Sequence, residues 1–359
     1  MTGGPVPVRA DLAELMPYGA PQLDVPVRLN TNETAEPPPP GFLSEVARRI
    51  QDLELNRYPD RRATDLRTAL GRPHGLGPER VWAANGSNEI LQQLLQAYGG
   101  PGRRVVVTRP GYSMYASLAQ VMLTEFVEHD LSEDFVVGDH DAAAMAELDG
   151  DVTIITNPNN PTGLPVTLDV VRELHDRCRG LVVVDEAYVE FGGTSAVSLL
   201  SDCERLVVVR TFSKAFRLAG LRLGYLLAHD WVIDDLRRVR LPYHLDAIKQ
   251  VAGLVALDQQ DLFLEHRSRV SSERNRILTS LRTLPGVTAF DSDANFVLFR
   301  VSDARATFEG LLAQGVLVRD FSAKPRLDGC LRVTVGTHDE NNAFLTALKE
   351  TFDERATGA

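Results

Sequence analysis

The sequence predicts an α/β protein with a mostly parallel sheet covered on both faces by helices, joined to a smaller α+β domain. Three observations predict it. Short β-branched runs recur along the chain without the polar alternation of half-exposed strands. Amphipathic stretches of helical length separate many of them. The chain has 359 residues, enough for two domains.

The elements follow in order. The first forty residues look irregular and end in Pro37-Pro38-Pro39-Pro40, which cannot be helical and reads as a stiff extended link. After Gly41, helices and short apolar strands alternate. The link from Leu70 to Val81 carries Gly71, Pro73, Gly75, Gly77 and Pro78 and reads as a trimmed helix connection. A helix is expected over Glu89–Ala97 and another over Leu168–Arg177. Strands are expected at Arg104–Thr108, Val152–Thr156, Leu181–Val184, Leu206–Val209 and Gly224–Ala228. From about Leu241 to Arg282 the chain is mostly helical and charged, and it bridges to a lobe holding strands Asn295–Arg300 and Leu331–Val335. The expected division is a large domain over residues 30–240. Residues 1–29 and 241–359 form an N-terminal segment plus a small C-terminal domain.

Composition excludes several classes. Apolar residues make up 44% and charged residues 24%, an ordinary globular balance. The 38 Lys+Arg against 49 Asp+Glu give a net charge of −11, which opposes non-specific binding to nucleic acid or an anionic membrane. A local arginine cluster can still receive a small acidic ligand. Cys178, Cys203 and Cys330 form no CxxC pair, and such usage fits a reducing cytoplasm better than a disulfide framework. Pro5, Pro7, Arg9, Asp11 and Glu14 interrupt any signal-peptide core, and no run approaches the ~20 apolar residues of a membrane helix. HExxH, GxSxG, GxxxxGK[ST] and GxGxxG are absent, and the eight histidines lack metal-ligand spacing, so no metal is expected.

The chemistry lies where three strands end. Val152–Thr156 runs into Asn157-Pro158-Asn159-Asn160-Pro161-Thr162-Gly163, Leu181–Val184 into Asp185-Glu186-Ala187-Tyr188, and Leu206–Val209 into Arg210-Thr211-Phe212-Ser213-Lys214. In open α/β sheets the ligand crevice lies outside such carboxyl ends. Taken singly, each has an ordinary reading: a turn, a helix cap, a solvated helix start. Together they supply what pyridoxal phosphate needs. Lys214 offers the Schiff-base amine and Asp185 the carboxylate for the pyridine nitrogen. Asn160 with Tyr188 offers donors to the ring hydroxyl, and Tyr112 an aromatic lid. The Asn85-Gly86-Ser87-Asn88 turn opens a helix, and amides at a helix N-terminus bind phosphate. Arg222 adds a fixed cation.

These motifs resemble the fold-type I aminotransferases, and among them the histidinol-phosphate aminotransferase family, over nearly the whole chain. The markers are Pro17-Tyr18, LNTNE ending at Glu33, Arg57-Tyr58-Pro59-Asp60, WAANGSNEILQQL from Trp82, Pro110-Gly111-Tyr112-Ser113-Met114-Tyr115, PNNPTG from Pro158 and VDEAY from Val184. TFSKAFRLAGLRLGY from Thr211, LPYHL from Leu241, DANFVLF from Asp293 and LRVTVGT from Leu331 complete the set. The resemblance implies that Lys214 is the catalytic lysine and proton shuttle. It implies that Gly86, Ser87, Asn88, Thr211, Ser213 and Arg222 hold the cofactor phosphate. It places Arg319, Arg332 and Tyr18 on the substrate's acidic end, with Tyr58 from the neighbouring subunit of a homodimer and Tyr243 and Asn88 as lesser contacts. The implied reaction carries an amino group from glutamate to imidazole-acetol phosphate, giving 2-oxoglutarate and histidinol phosphate in histidine biosynthesis. Aromatic amino-acid aminotransferase is the nearest rival, with a phospho-amino-acid decarboxylase and a non-catalytic cofactor-binding regulator behind it. Two departures stand out. Thr34-Ala35 replaces the family's Asn-Pro after Asn32-Glu33. Arg217 stands where a small residue is common and reads as a surface choice.

Overall fold

The computed structural model describes residues 6–17 and 19–357. Its centre is a seven-stranded sheet. From edge to edge the strands are Val81–Ala84, Gly224–Ala228, Leu206–Thr211, Leu181–Asp185, Val152–Thr156, Arg104–Arg109 and Glu125–Asp130. Only Gly224–Ala228 runs against its neighbours; the other pairings are parallel.

The unbroken apolar runs are explained by burial on both faces. Val182, Val184, Leu206 and Val208 belong to one core layer, and Leu181, Val183, Val207 and Val209 to the other. Helix Leu168–Arg177 buries Val170, Val171 and Leu174 in the first layer. Helices Ser87–Tyr98 and Asp230–Val239 bury Ile90, Leu91, Leu94, Val232, Ile233 and Leu236 in the second. Helix Leu168–Arg177 starts where the Thr167 side chain accepts a bond from the Val170 amide.

A four-stranded antiparallel sheet lies apart, ordered Arg319–Asp320, Cys330–Thr334, Phe296–Arg300 and Thr288–Ala289. Helices Ala247–Asp258, Gln260–Leu264 and Arg267–Arg282 precede it in the chain, as the charged helical pattern predicts. The segment read as irregular before residue 41 does pair once, Val27–Arg28 lying parallel to Val316–Leu317.

The expected strands all form, Val152–Thr156 and Gly224–Ala228 as read and the others with ends shifted by one or two residues, so that Leu206–Thr211 reaches Thr211 itself. Two strands of the large sheet, Val81–Ala84 and Glu125–Asp130, have no counterpart in the sequence reading, nor have the two-residue strands Val27–Arg28, Thr288–Ala289, Val316–Leu317 and Arg319–Asp320. Among the described residues no helix is long and apolar enough to cross a membrane.

Candidate active site

Adjacent parallel strands end side by side. The in-register pairing of Val152–Thr156, Leu181–Asp185 and Leu206–Thr211 therefore brings their polar termini to one edge of the sheet. A cleft opens there. Its lining includes Ser87, Asn88, Tyr112, Asn160, Asp185, Tyr188, Thr211, Ser213, Lys214, Arg222, Arg319 and Arg332.

The Lys214 amine donates to the Thr31 carbonyl at 3.0 Å and sits 5.8 Å from the centre of the Tyr188 ring. Burial, and then the charge of Arg332, lower its pKa to about 7. Across the cleft floor Asp185 is 3% exposed. It accepts from the Tyr115 hydroxyl at 2.9 Å and the Ala187 amide at 3.2 Å. No basic side chain pairs with it among the described residues. Burial raises its pKa to about 6. A carboxylate placed this way asks for a cation against it, since a partner charge would restore its ionised form.

A second corner is built for an anion. Helix Ser87–Tyr98 begins after Gly86, whose φ of 88° places it in the left-handed region, and no side chain caps the helix. Thr211 Oγ1 lies 3.0 Å from Ser213 Oγ, and Arg222 Nη1 donates to that same Ser213 oxygen at 3.0 Å. Hydroxyls, open amides and a guanidinium thus share one wall. Gly224 makes the approach possible, because a Cβ there would lie 2.5 Å from the Ser87 amide nitrogen. A Cβ on Gly86 would lie 2.7 Å from Arg222 Nη2.

The remaining groups frame the space between. Tyr188 hydroxyl accepts from Asn32 at 3.0 Å and from Asn160 at 3.3 Å. Tyr112 stands edge-on to Tyr115, ring centres 5.4 Å apart, and lies 3.4 Å from Asn88 through its hydroxyl. Arg332 is 5% exposed, bonds to Asn160 Oδ1 and to the Asn30 carbonyl at 3.1 Å, and packs over Phe296 and Phe321. Arg319 is its direct cross-strand partner. Two like charges at opposed positions cost stability, and an anion between them relieves that cost.

Most of the residues expected from sequence therefore line one cleft. Gly86 lies behind it, against Arg222. Tyr58 and Tyr243 do not reach it within this chain. They stack on each other at 4.3 Å, and Tyr58 is 78% exposed. Tyr18 lies outside the described residues. Sequence reasoning missed Thr31, Asn32, Tyr115, Thr156 and Phe321 in the lining or its support. Thr31, Asn32 and Tyr115 lie in motifs already noted, so the signal existed but not the role. The reading of Arg217 as a surface choice is corrected. Its side chain is 8% exposed, because its guanidinium binds the Leu262 and Phe263 carbonyls at 3.1 and 3.2 Å.

A lysine, a buried carboxylate and an anion cup at the carboxyl edge of a parallel sheet define a transaminase-type site. The family described as aminotransferase class I and II matches residues 25–348. A histidinol-phosphate aminotransferase of Streptomyces avermitilis is 48% identical over 366 residues, covering 98% of each chain. Its counterpart from Paenarthrobacter aurescens is 44% identical, covering 98% of this chain and 96% of that one. The crystal structure of histidinol-phosphate aminotransferase from Sinorhizobium meliloti in complex with pyridoxal-5′-phosphate superposes with a TM-score of 0.84 at 25% identity, covering 92% of each chain. The chain belongs to the class I and II aminotransferases and, within them, to the histidinol-phosphate aminotransferase family.

Proposed function

We propose that this chain is a pyridoxal-phosphate-dependent histidinol-phosphate:2-oxoglutarate aminotransferase. The observation that carries the reading is the meeting, in one cleft, of a lysine held near neutrality with two arginines opposed across a strand pair.

The residues present fit pyridoxal phosphate. Ser87, Asn88, Thr211, Ser213 and Arg222 would hold its phosphate, Asp185 its ring nitrogen, and Asn160 with Tyr188 its ring hydroxyl. Tyr112 would cover the ring. When bound, the cofactor supplies an electron sink for the charge left when the substrate's Cα proton is removed.

Lys214 is the general base that takes this proton and later returns it. A pKa near 7 suits both directions at neutral pH. The Thr31 carbonyl orients the amine when it is free. Tyr115 and the Ala187 amide fix the Asp185 carboxylate, so the charge stays aimed at one place. Arg319 and Arg332 bind the carboxylate of glutamate and then the phosphate of imidazole-acetol phosphate, since both anions accept forked hydrogen bonds.

Tyr18, Tyr243 and the Tyr58 of a second subunit complete the substrate end in a homodimer. The exposure of Tyr58 suits that use. The cofactor sits on the 30–240 domain, and the enzyme works in the cytoplasm, free of nucleic acid and membrane.

The test compares kcat/KM for histidinol phosphate and for phenylalanine, with 2-oxoglutarate as acceptor. Histidinol phosphate should lead by at least about tenfold, roughly 1.4 kcal/mol of transition-state stabilisation. A preference for phenylalanine would overturn the substrate reading.

A further inference from the structure

Residues 31–37 run as a strap from the cleft wall, where Thr31 and Asn32 line it, past the Lys214 turn, and four contacts tie the strap to that turn. Thr31 takes the lysine amine at 3.0 Å, and Thr34 Oγ1 donates to the Lys214 backbone carbonyl at 2.8 Å. Three residues beyond the lysine, Arg217 Nη1 reaches Glu36 Oε2 at 3.3 Å and the Pro37 carbonyl at 3.2 Å. The lysine is thus held by the strap at both its amine and its carbonyl, and Arg217 fastens the strap's far end.

Arg217 is itself anchored. Its amide closes the turn onto the Lys214 carbonyl at 2.9 Å. Its Nη2 binds the Leu262 and Phe263 carbonyls, and its Nε lies 3.2 Å from His266 Nδ1. The only other ion pair on Glu36 among the described residues is with Arg269, whose side chain is 57% exposed. Arg269 grips the Glu36 carboxylate from the solvent side, Nη2 reaching Oε2 at 2.8 Å and Oε1 at 3.1 Å, while Arg217 holds it from the buried side.

We propose that Arg217 is a positioning residue that clamps the 31–37 strap against the Lys214 turn, fixing the direction of the lysine. The proposal rests on the cofactor reading above. The strap acts on the lysine nitrogen through the Glu33 carboxylate and the Thr31 carbonyl, which favour its charge, against Arg332 and Arg222, which oppose it. Loosening the strap should therefore change this balance and move the nitrogen's titration.

The experiment uses the holoenzyme with pyridoxal phosphate and three variants: Arg217→Met, Arg217→Lys and Glu36→Gln. Two readouts stand apart from turnover. One is the pH midpoint of the visible band of the bound cofactor. The other is the lifetime of that band after dilution into a cofactor trap. Arg217→Met and Glu36→Gln should each move the midpoint in the same direction by about half a pH unit or more. Both should shorten the lifetime severalfold, and kcat should fall roughly tenfold as the lysine loses its aim. Arg217→Lys, which keeps the charge and can reach Glu36, should recover part of each change. The double variant should go no further than the larger single, as expected for partners in one contact. Midpoint and lifetime at wild-type values in both single variants would overturn the proposal, even if melting temperature falls, because the contact would then be structural alone. Should Arg217→Met fail to fold, Glu36→Gln carries the test, since its carboxylate is partly exposed. A wild-type chain that binds no pyridoxal phosphate would overturn the cofactor reading and this proposal with it. Normal binding with unmoved variants overturns this proposal alone.

Discussion

Gly224→Ala isolates the anion cup from the rest of the site. Gly224 opens the one antiparallel strand of the large sheet, and its missing side chain is what lets the strand lie against the start of helix Ser87–Tyr98. A Cβ there would stand 2.5 Å from the Ser87 nitrogen, 2.6 Å from the Gly86 carbonyl carbon and 3.0 Å from the Arg210 carbonyl oxygen. Packed atoms need ~3.5 Å, so the Ser87 amide has to retreat by about 1 Å. All three obstacles are backbone, which cannot swing aside as a flexible side chain would. Overpacking of this kind costs about 1–3 kcal/mol. Amides displaced by 1 Å can no longer meet a phosphate held by Thr211, Ser213 and Arg222. We expect the Kd for pyridoxal phosphate to rise roughly 10- to 100-fold, about 1.4–2.7 kcal/mol. The melting temperature of the cofactor-free protein should fall by only a few degrees, about 2–8 °C. Absorbance titration of cofactor-free protein gives the first number and circular dichroism melting the second. A folded variant whose Kd stays within about twofold of wild type would refute the reasoning.

Asp185→Asn keeps the shape and the Tyr115 contact but removes the charge, and turnover should fall roughly 100- to 1,000-fold while the protein still folds; steady-state assays with near-wild-type kcat would contradict its role. Lys214 makes stability depend on pH. Its pKa is lowered to about 7 in the folded, cofactor-free protein and returns to ~10.4 on unfolding. The unfolded chain therefore holds a proton that the folded chain has released. This group should add stability as pH rises from 7 toward 10. Urea midpoints at pH 7 and 9 should diverge between wild type and Lys214→Met, and parallel midpoints would count against the shift. Lys214→Ala should also lose the yellow colour of the holoenzyme. Mixing inactive Tyr58→Phe and Lys214→Ala chains should restore some activity if Tyr58 serves the partner's cleft, and no recovery at any ratio would place Tyr58 elsewhere.

Much of the scaffold was legible because both faces of the sheet are buried. Runs such as Leu181–Val184 have nothing polar in them, and burial on both sides leaves no other use for such a run. Val81–Ala84 was not legible. It holds one β-branched residue, and its partner strand comes from residues 224–228. Glu125–Asp130 was hidden by its charges, which suit a sheet edge.

The cleft was readable where a residue's chemistry is itself unusual at a strand end, as with Lys214 and Asp185. It was unreadable where an ordinary residue acts through its backbone or through a neighbour. Thr31 contributes a carbonyl, which every residue has. Tyr115 contributes a bond to a carboxylate seventy positions away. Arg217 looks like surface because long cations usually are, and only the folded chain shows the carbonyls that bury it.

The pairing of Arg319 with Arg332 has a kinetic consequence. In the proposed cycle one clamp must release a dicarboxylate before it can seize a phosphomonoester. It cannot be tuned tight for either without slowing the exchange. Each anion also fits the enzyme form that awaits the other. Excess 2-oxoglutarate or excess histidinol phosphate would then idle the enzyme in dead-end complexes. Throughput would then follow the ratio of the two pools, and the two side chains that would give the cleft its double reach would also make the enzyme sensitive to imbalance between them.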